Sequence, residues 1–342
     1  MTFEGSRFYF ATSQVGAERA LKGEVARFGM SPAYSRPGLL TFKMKSCASF
    51  DFSPDLVFAR SHGLSLGTAG APKEVLEVWH RMGVPAFDEL HVSPRDRATT
   101  AGGAWDRARE LDEKLRAALG LGQRKPPVAG AIVGDVVIGG DEPIVVGVHR
   151  HTAGRSPHPG GAFIRELPAG APSRAYMKLV EALEWSGLEV RPGGWALEVG
   201  ASPGGAVLAL LERGSRVCAV DPRRMNEALL SRPELTHLQK RIEQVRRSEL
   251  PEHVELLTVD MGLSPRFAMH HVERLASWFR RSLRGLIVTL KLKEWSFVAD
   301  LPEFAERTSA MGFEDVRIRQ LAWNRQEVCL MARRPLAQFS IE

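Results

Sequence analysis

The stretch from Trp195 to Pro222 limits the fold of this chain more than any other part of its sequence. It begins with the apolar run WALEV, continues with the loop GASPGG and the apolar helical segment AVLALL, and ends with a second apolar run, RVCAV, followed by Asp221. This order predicts a strand, a tight turn, a helix and a second parallel strand. The sequence therefore indicates the first half of a nucleotide-binding βαβ unit.

The loop of this unit is poor in free backbone donors, because Pro203 has no N–H group and only one glycine precedes it. A cradle for a pyrophosphate needs more free N–H groups than this. Asp221 lies at the tip of the second predicted strand, where an acid can accept hydrogen bonds from ribose hydroxyls. The pattern favours a ligand with adenosine but no phosphate, S-adenosylmethionine, over a dinucleotide or mononucleotide site of another kind. The candidate cofactor-binding residues are Glu198, Gly200, Ala201, Ser202, Pro203, Gly204, Gly205 and Asp221.

The 342 residues are enough for one to three domains, and the mixture of strand and helix signals changes along the chain. Residues 1–150 predict an α+β region, either whole or divided into subdomains over 1–50 and 54–150. Residues 151–172 are dense in Pro and Gly and predict a linker. From residue 173 to 342, strands and helices alternate. This part predicts a doubly wound, mostly parallel Rossmann-like sheet with an antiparallel hairpin at its end.

Two segments of this second region carry specific predictions. Ser173 is a candidate N-cap of a helix that runs to Trp185. The segment from Pro233 to Arg247 is rich in Lys and Arg and predicts a basic helix.

The formal net charge of +6 and the pI near 9.4 favour a polyanionic partner such as RNA. The three cysteines are few and far apart, and Cys218 and Cys329 lie in apolar runs, so buried free thiols are expected rather than a disulfide or a zinc site. No apolar run reaches the ~20 residues that a membrane helix needs. We therefore expect a cytoplasmic protein without a membrane partner. Its oligomeric state cannot be predicted from the sequence.

Three histidines, His149, His151 and His158, lie in the segment HRHTAGRSPH. Their spacing fits no standard metal-binding pattern. We expect a solvated basic segment near RNA here, and no metal site.

Four charged residues are positioned to meet at one edge of the second sheet. Asp260 ends the apolar run ELLTV, Lys291 interrupts the run IVTLKL, and Glu327 opens the run EVCLMA. Lys178 lies on the helix that precedes the first strand. A charge inside an apolar strand is costly unless it is paired or functional. Taken alone, each of the four could equally be one half of an ion pair at a sheet edge.

These residues stand in motifs that resemble those of the FtsJ-type ribose 2′-O-methyltransferases. The motifs are SRAYMKLVEA, EVGASPGG, VDMG, TLKLKEW and NRQEVCLMARR, in this order. They are most similar to the RlmM type, which methylates a cytidine ribose in 23S ribosomal RNA and carries a THUMP-containing N-terminal half. The resemblance extends over roughly residues 170–334. It implies S-adenosylmethionine as cofactor, ribosomal RNA as substrate, and a ferredoxin-like or THUMP-like RNA-binding region in the N-terminal half.

The resemblance also implies a catalytic tetrad of Lys178, Asp260, Lys291 and Glu327. In this interpretation Lys291 orients and deprotonates the 2′-hydroxyl, and Lys178 lowers the pKa of Lys291, since like charges disfavour the charged form. Asp260 and Glu327 would hold the two lysines. No metal is required.

The chain departs from the family at three places. It has Glu198 where the family often has Asp, and Ala206 where the family has an aromatic residue. Near LTHLQKRIEQV there is no match for the acid that usually contacts the adenine. Two other functions therefore stay open: a non-catalytic RNA-binding protein that keeps the methyltransferase fold, and a methyltransferase for a protein or a small molecule.

Overall fold

The chain forms two compact units, Met1–Phe163 and Ile164–Glu342. The structure is a computed structural model that describes residues 3–95, 103–140 and 142–334. The division between the units falls after Phe163, inside the stretch whose composition predicts a linker. Each unit has its own seven-stranded sheet.

The described residues of the first unit form seven strands and three α-helices. In chain order they are β1 (Ser6–Ser13), α1 (Glu18–Ala26), β2 (Ser31–Arg36), β3 (Leu39–Ala48), β4 (Ala59–Ala69), α2 (Pro72–Arg81), β5 (Glu89–Pro94), α3 (Ala104–Leu119), β6 (Ile132–Ile138) and β7 (Ile144–Arg150). The strand order is β2-β3-β1-β4-β7-β6-β5, and all pairs are antiparallel except β5 and β6. The two subdomains considered from the sequence, 1–50 and 54–150, thus contribute strands to one sheet.

Strands β2-β3-β1-β4 have the antiparallel order of a split βαβ arrangement, with α1 connecting β1 and β2. Residues 49–58, all of which the structure describes, connect β3 to β4 without a helix. Strand β4 begins at Ala59.

The sequence predicts a solvated histidine segment, but two of its histidines are buried in the structure. His149 and His151 are 5% and 4% exposed. The reason is that His149 lies on β7, a central strand of the sheet. Residues Val145 to His149 of this strand are buried. Residues of this segment therefore face the interior of the first unit.

The second unit alternates strands and helices as expected. In chain order they are α4 (Ala175–Ser186), β8 (Trp195–Val199), α5 (Gly205–Leu211), β9 (Arg216–Val220), α6 (Glu227–Leu230), β10 (Leu235–Leu238), β11 (Leu256–Val259), α7 (Pro265–Trp278), β12 (Gly285–Lys291), α8 (Leu301–Ala310), β13 (Asp315–Arg319) and β14 (Glu327–Arg333). Short 3-10 turns lie between several of them. Local sequence explains several helix ends. The helix α7 begins at Pro265 with Ser264 Oγ accepting a hydrogen bond from the N–H of Phe267, and α4 ends at Ser186, directly before Gly187 with φ +65°.

The second sheet has the strand order β10-β9-β8-β11-β12-β14-β13. The five neighbouring strands β10, β9, β8, β11 and β12 are parallel to one another. Strand β14 is antiparallel to both β12 and β13. The predicted mostly parallel sheet with a terminal antiparallel hairpin is therefore present. The chain proceeds outward from β8 to β10 and then returns to β11 on the other side of β8. The position between β8 and β11 is thus a topological switch point, where sheets of this kind bind ligands.

The prediction of a basic helix over residues 233–247 is wrong. The segment contains the strand β10 and two 3-10 turns, Ile242–Gln244 and Arg247–Glu249. Strand β10 pairs in parallel with Val217 to Val220 of β9 and completes that side of the sheet. A four-residue edge strand has too little periodicity to be distinguished from a helix by sequence alone, and pairing with β9 decides the outcome.

Both units have apolar cores, and the core of the second unit contains two of the cysteines. Cys218 and Cys329 are buried free thiols, as expected, and Cys47 is an exposed free thiol. Burial raises the pKa of Cys218 to about 12. Within the described ranges, no helix combines the length and the apolar character needed to cross a bilayer.

Candidate active site

The four charged residues singled out from the sequence meet at the carboxyl edge of the second sheet. Asp260 follows β11, Lys291 is the final residue of β12, and Glu327 is the first residue of β14. Because β14 is antiparallel to β12, its first residue lies at the same edge as the last residue of β12. Lys178 comes from the second turn of α4. The structure thus brings together all four residues of the predicted tetrad.

The side chains of the tetrad form a ring in which charges alternate. Lys291 Nζ lies 2.5 Å from Asp260 Oδ1 and 2.6 Å from Glu327 Oε2. Lys178 Nζ lies 2.6 Å from Glu327 Oε1 and 3.3 Å from Asp260 Oδ2. Each lysine thus contacts both acids, and each acid contacts both lysines. The Glu327 side chain is 7% exposed, whereas those of Lys178, Asp260 and Lys291 are 20%, 18% and 17% exposed and can be reached from solvent.

The pKa of Lys291 differs from the expectation. Burial acts to lower it, but the carboxylates of Asp260 and Glu327 outweigh burial, and the pKa of Lys291 is raised. The predicted lowering by Lys178 is therefore wrong for the free protein, since the two acids lie closest to Lys291. For Glu327, burial acts to raise the pKa, but Lys291 and Lys178 together hold it below the usual range.

Two residues that the sequence analysis missed connect the tetrad to the surrounding backbone. Glu181, one turn after Lys178 on α4, is buried, and its carboxylate accepts hydrogen bonds from the N–H groups of Ala322 and Trp323 at 2.8 Å each. Asn324, also buried, lies with its Nδ2 3.5 Å from Glu327 Oε1. Thus α4 is joined to the loop that precedes β14. The motif SRAYMKLVEA contained the signal, an acid at helical spacing from Lys178.

The glycine loop 200–205 follows β8 and lies against the tetrad. Gly200 has φ +84°, and a Cβ atom at this position would clash with the carbonyl oxygen of Asp260. A Cβ on Gly205 would clash with Ser173 and with the N–H of Tyr176, 2.8 Å away, at the start of α4. The two glycines therefore allow the loop, the strand end at Asp260 and α4 to approach closely.

Three backbone donors at the start of this loop are occupied within the protein. The N–H groups of Gly200 and Ala201 donate to the carbonyl oxygen of Val220 at 2.9 and 3.4 Å, and the N–H of Ser202 donates to Asp221 Oδ2 at 3.1 Å. Pro203 has no N–H to offer. The loop is thus a poor cradle for phosphate, as the sequence indicates.

Asp221 lies where the sequence predicts, at the carboxyl end of β9, and is 3% exposed. Its carboxylate also accepts a hydrogen bond from the N–H of Arg223 at 2.8 Å, and the Arg223 guanidinium Nε lies 3.3 Å away. The Arg223 side chain is 72% exposed, so it can move aside for a ligand.

Glu198 is inside β8 and hydrogen-bonds to the hydroxyl of Thr258 on β11. It is 1% exposed, and burial raises its pKa to about 8. A small cavity of about 20 Å³ lies beside it and is bordered by Lys178, Ala206, Asp260 and Asn324, among others. Glu198 and the tetrad are therefore neighbours beneath the switch point.

Many basic residues of the second unit are neutralised by acids next to them. Arg224 pairs with Glu227, Arg232 with Glu234, and Lys240 with Glu249. Two other arginines stack on aromatic rings, Arg216 on Trp195 and Arg247 on Phe279. The positive charge of 223–247 is thus smaller at the surface than the sequence indicates.

Residues 171–318 match the model of the FtsJ-like methyltransferase family. The resemblance inferred from the motifs is therefore confirmed. Three of the tetrad residues lie inside this match, and Glu327 lies beyond it.

Curated relatives named Ribosomal RNA large subunit methyltransferase M are similar over part of the chain. The protein from Alkalilimnicola ehrlichii is 33% identical over 206 residues, which cover 57% of this chain and 54% of the relative. The protein from Laribacter hongkongensis is 31% identical over 195 residues, 53% of each chain. This chain spans about half the length of the curated relatives it matches.

Among solved structures, TrmN from Thermus thermophilus aligns with 96% of this chain and 99% of its own, with 14% identity and a TM-score of 0.35. A likeness of this size supports no statement about function.

Proposed function

We propose that this chain is an S-adenosylmethionine-dependent methyltransferase that acts on the ribose 2′-hydroxyl of RNA, with ribosomal RNA as the substrate class. The observation that carries the proposal is the ring of Lys178, Asp260, Lys291 and Glu327 at the switch point of the sheet. An isolated ion pair at a sheet edge needs two residues. Here four residues from three strand ends and a helix converge, so a structural ion pair is a poor explanation.

The residues at the switch point fit S-adenosylmethionine. Glycines at 200, 204 and 205 let the loop pack closely against Asp260, Leu229 and the start of α4, where a Cβ atom would clash. Asp221, at the carboxyl end of β9, can accept hydrogen bonds from ribose hydroxyls after Arg223 moves aside. The occupied N–H groups of the loop disfavour a phosphate ligand. Gln239, exposed directly after β10, is available at the position where the sequence lacks an acid for the adenine.

The chemistry of the tetrad suits a hydroxyl nucleophile. When bound, S-adenosylmethionine supplies a methyl group activated by its positively charged sulfur. The ribose hydroxyl is a weak nucleophile that must be oriented and must lose its proton. Lys291 can orient the hydroxyl and, in its neutral form, accept the proton at Nζ. Asp260 and Glu327 fix the position of Lys291, and Lys178 balances their charge.

The N-terminal unit is proposed to be the part that selects the RNA, as a THUMP-like region. Its split βαβ strand order β2-β3-β1-β4 supports this role, and so does the resemblance of the second unit to enzymes with such a region. RNA is recognised mainly through shape and unpaired bases, which a separate unit can read.

The test is methyl transfer from labelled S-adenosylmethionine to RNA from ribosomal subunits and their assembly intermediates. Wild type is compared with Lys291→Ala and with Lys240→Ala, which removes an ion-paired lysine of the same unit outside the site. We expect ribose methylation by wild type and Lys240→Ala, and a loss of about 100-fold or more in Lys291→Ala, the usual scale for general base catalysis. Unchanged transfer by Lys291→Ala contradicts the proposed role of the tetrad.

Calorimetry with S-adenosylmethionine distinguishes the remaining functions. Absence of binding favours a non-catalytic RNA-binding protein. Binding combined with full transfer after the substrate is treated with ribonuclease favours a methyltransferase for a protein or a small molecule.

A further inference from the structure

Three side chains that the proposed methyl transfer does not use meet inside the first unit. They are His91 on β5, Asp135 on β6 and His149 on β7. They are 3%, 2% and 5% exposed. One potential ligand atom from each lies within 4.8 Å of the others. The cluster is therefore a compact, buried set of imidazole and carboxylate groups.

Strand register explains why these three residues meet. His91 and Asp135 are direct partners in the parallel β5–β6 pair. Asp135 is opposite Gly147 in the antiparallel β6–β7 pair, and His149 is two residues further along β7. Alternation puts residues 147 and 149 on the same side of the sheet. Since Gly147 has no side chain, His149 can reach Asp135 diagonally, and its Nδ1 lies 2.6 Å from Asp135 Oδ2.

The donor atoms of the cluster suit a metal ion. Two imidazole nitrogens and one carboxylate oxygen form a donor set found in zinc sites.

His151 provides a second, independent observation. It is 4% exposed, its ring centroid lies 6.0 Å from that of His149, and its Nδ1 has no hydrogen-bond partner among the described residues. A buried nitrogen without a partner is costly. This part of the interior thus contains a polar atom that the described residues leave unsatisfied, next to the three candidate ligands.

Arg155 is the charge nearby that most opposes a cation. Its guanidinium, however, donates to the backbone carbonyl of His62, to Tyr9 Oη at 3.4 Å and to Ser53 Oγ at 3.0 Å. The Arg155 donors are thus engaged with groups other than Asp135.

We propose that His91, Asp135 and His149, with His151 beside them, bind one zinc ion that joins β5, β6 and β7 within the first unit. The site is remote in sequence from the tetrad and is independent of the proposed methyl transfer. Its role is structural, because a bound metal stabilises the folded state over the unfolded state.

The test uses the full chain without an affinity tag, treated with a chelator and then titrated with Zn²⁺ by calorimetry and with Co²⁺ by visible absorption. We expect one Zn²⁺ per chain, a Co²⁺ spectrum of low coordination number, and a rise in melting temperature on addition of Zn²⁺. His91→Gln and His149→Gln should each weaken Zn²⁺ binding by about 10–100-fold or more. The loss of a residue that only orients a metal ligand already has an effect of this size. His253→Gln, which alters a histidine with a 72% exposed side chain, is the matched control and should bind like wild type.

Two results overturn the proposal. One is that wild type binds no stoichiometric Zn²⁺ at micromolar concentration, a result that does not depend on the folding of any variant. The other is that both cluster variants, shown by circular dichroism to be folded, bind Zn²⁺ with wild-type affinity, because the ion must then be held elsewhere.

Discussion

Lys291 and Glu327 are direct register partners across the antiparallel β12–β14 pair, and their side chains approach to 2.6 Å. One backbone pairing therefore fixes the separation of the proposed base and its acid. Asp260 approaches Lys291 from β11, the strand on the other side of β12. Lys291 is thus held between acids that come from both neighbouring strands, which explains its raised pKa.

The pH dependence of methyl transfer should reflect this raised pKa. If neutral Lys291 accepts the proton, kcat should rise about tenfold per pH unit below the pKa of Lys291. Glu327→Gln removes one carboxylate from Lys291, lowers its pKa and should move the rise to lower pH by about one unit or more. The control is Glu314→Gln, an exposed acid of the same unit. Profiles of kcat that coincide for wild type and Glu327→Gln would falsify this role of Glu327.

The same two residues predict how stability changes with pH. The pKa of Glu327 is lowered in the folded state, so its contribution is present above its unfolded pKa and is lost as pH falls through the folded value. The pKa of Lys291 is raised, so its contribution is present below its unfolded pKa and is lost as pH rises through the folded value. The ring should therefore stabilise the second unit across neutral pH. Urea unfolding of wild type and Lys291→Ala at several pH values measures this, and a difference confined to acid or alkaline pH contradicts it.

Glu181→Ala should reduce both stability and activity. It leaves the buried N–H groups of Ala322 and Trp323 without their acceptor, at a cost of about 1–3 kcal/mol each. The loop that carries Asn324 should then loosen, and kcat should fall while the affinity for S-adenosylmethionine changes little. Urea unfolding and steady-state kinetics measure the two effects. The control Glu184→Ala, on the exposed side of the same helix, should leave both unchanged. Equal effects of the two substitutions would contradict a positioning role for Glu181.

Gly200→Ala should disturb the site through the backbone. A side chain at φ +84° is strained, and the new Cβ would press on the Asp260 carbonyl. We expect a loss of about 2 kcal/mol or more in the free energy of unfolding, together with reduced methyl transfer. Gly262→Ala is the matched control, because nothing lies within 4 Å of a Cβ there. If Gly200→Ala had the free energy of unfolding of wild type, the prediction would be contradicted, because the loop would then accept the new side chain without strain.

Glu198→Gln should increase stability at higher pH. The pKa of Glu198 is raised to about 8 in the folded state, so the folded state binds a proton that the unfolded state releases at lower pH. Stability of wild type therefore falls as pH rises between about 4.3 and the folded pKa, by up to about 1.4 kcal/mol per unit. Gln cannot ionise, so the advantage of Glu198→Gln over wild type should grow from pH 5 to pH 8. The measurement is urea unfolding at each pH, with Glu189→Gln, an exposed acid, as control. An advantage that is constant with pH contradicts a protonated Glu198.

The convergence of the tetrad could be predicted because it depends on local signals. Apolar runs ending in Asp260 and Lys291 identify strand ends, and parallel strands bring their ends to one edge. Glu327 could be added because the last two runs predict a hairpin. Strand topology indicated that these charges could meet, and the resemblance to FtsJ-type enzymes identified the four as a tetrad.

Other features depend on contacts that a linear pattern does not contain. Segment 233–247 carries a strand because β9 has an edge to pair with, and His149 is buried because its strand is central in the sheet. The pKa of Lys291 depends on which charges lie nearest, and the acids prove closer than Lys178. Glu181 was missed because its partners are backbone N–H groups about 140 residues away.

The position of β14 between β12 and β13 has a consequence for synthesis of the protein. A ribosome-bound chain that has emerged through residue 320 contains Lys178, Asp260 and Lys291, but their ring lacks its fourth member, and β12 lacks its neighbour on one side. Charged side chains then surround a gap that only the strand from Glu327 can close. The proposed catalytic edge therefore needs residues that are synthesised late in this unit, and we expect an incomplete chain to be inactive even when most of its sheet has formed.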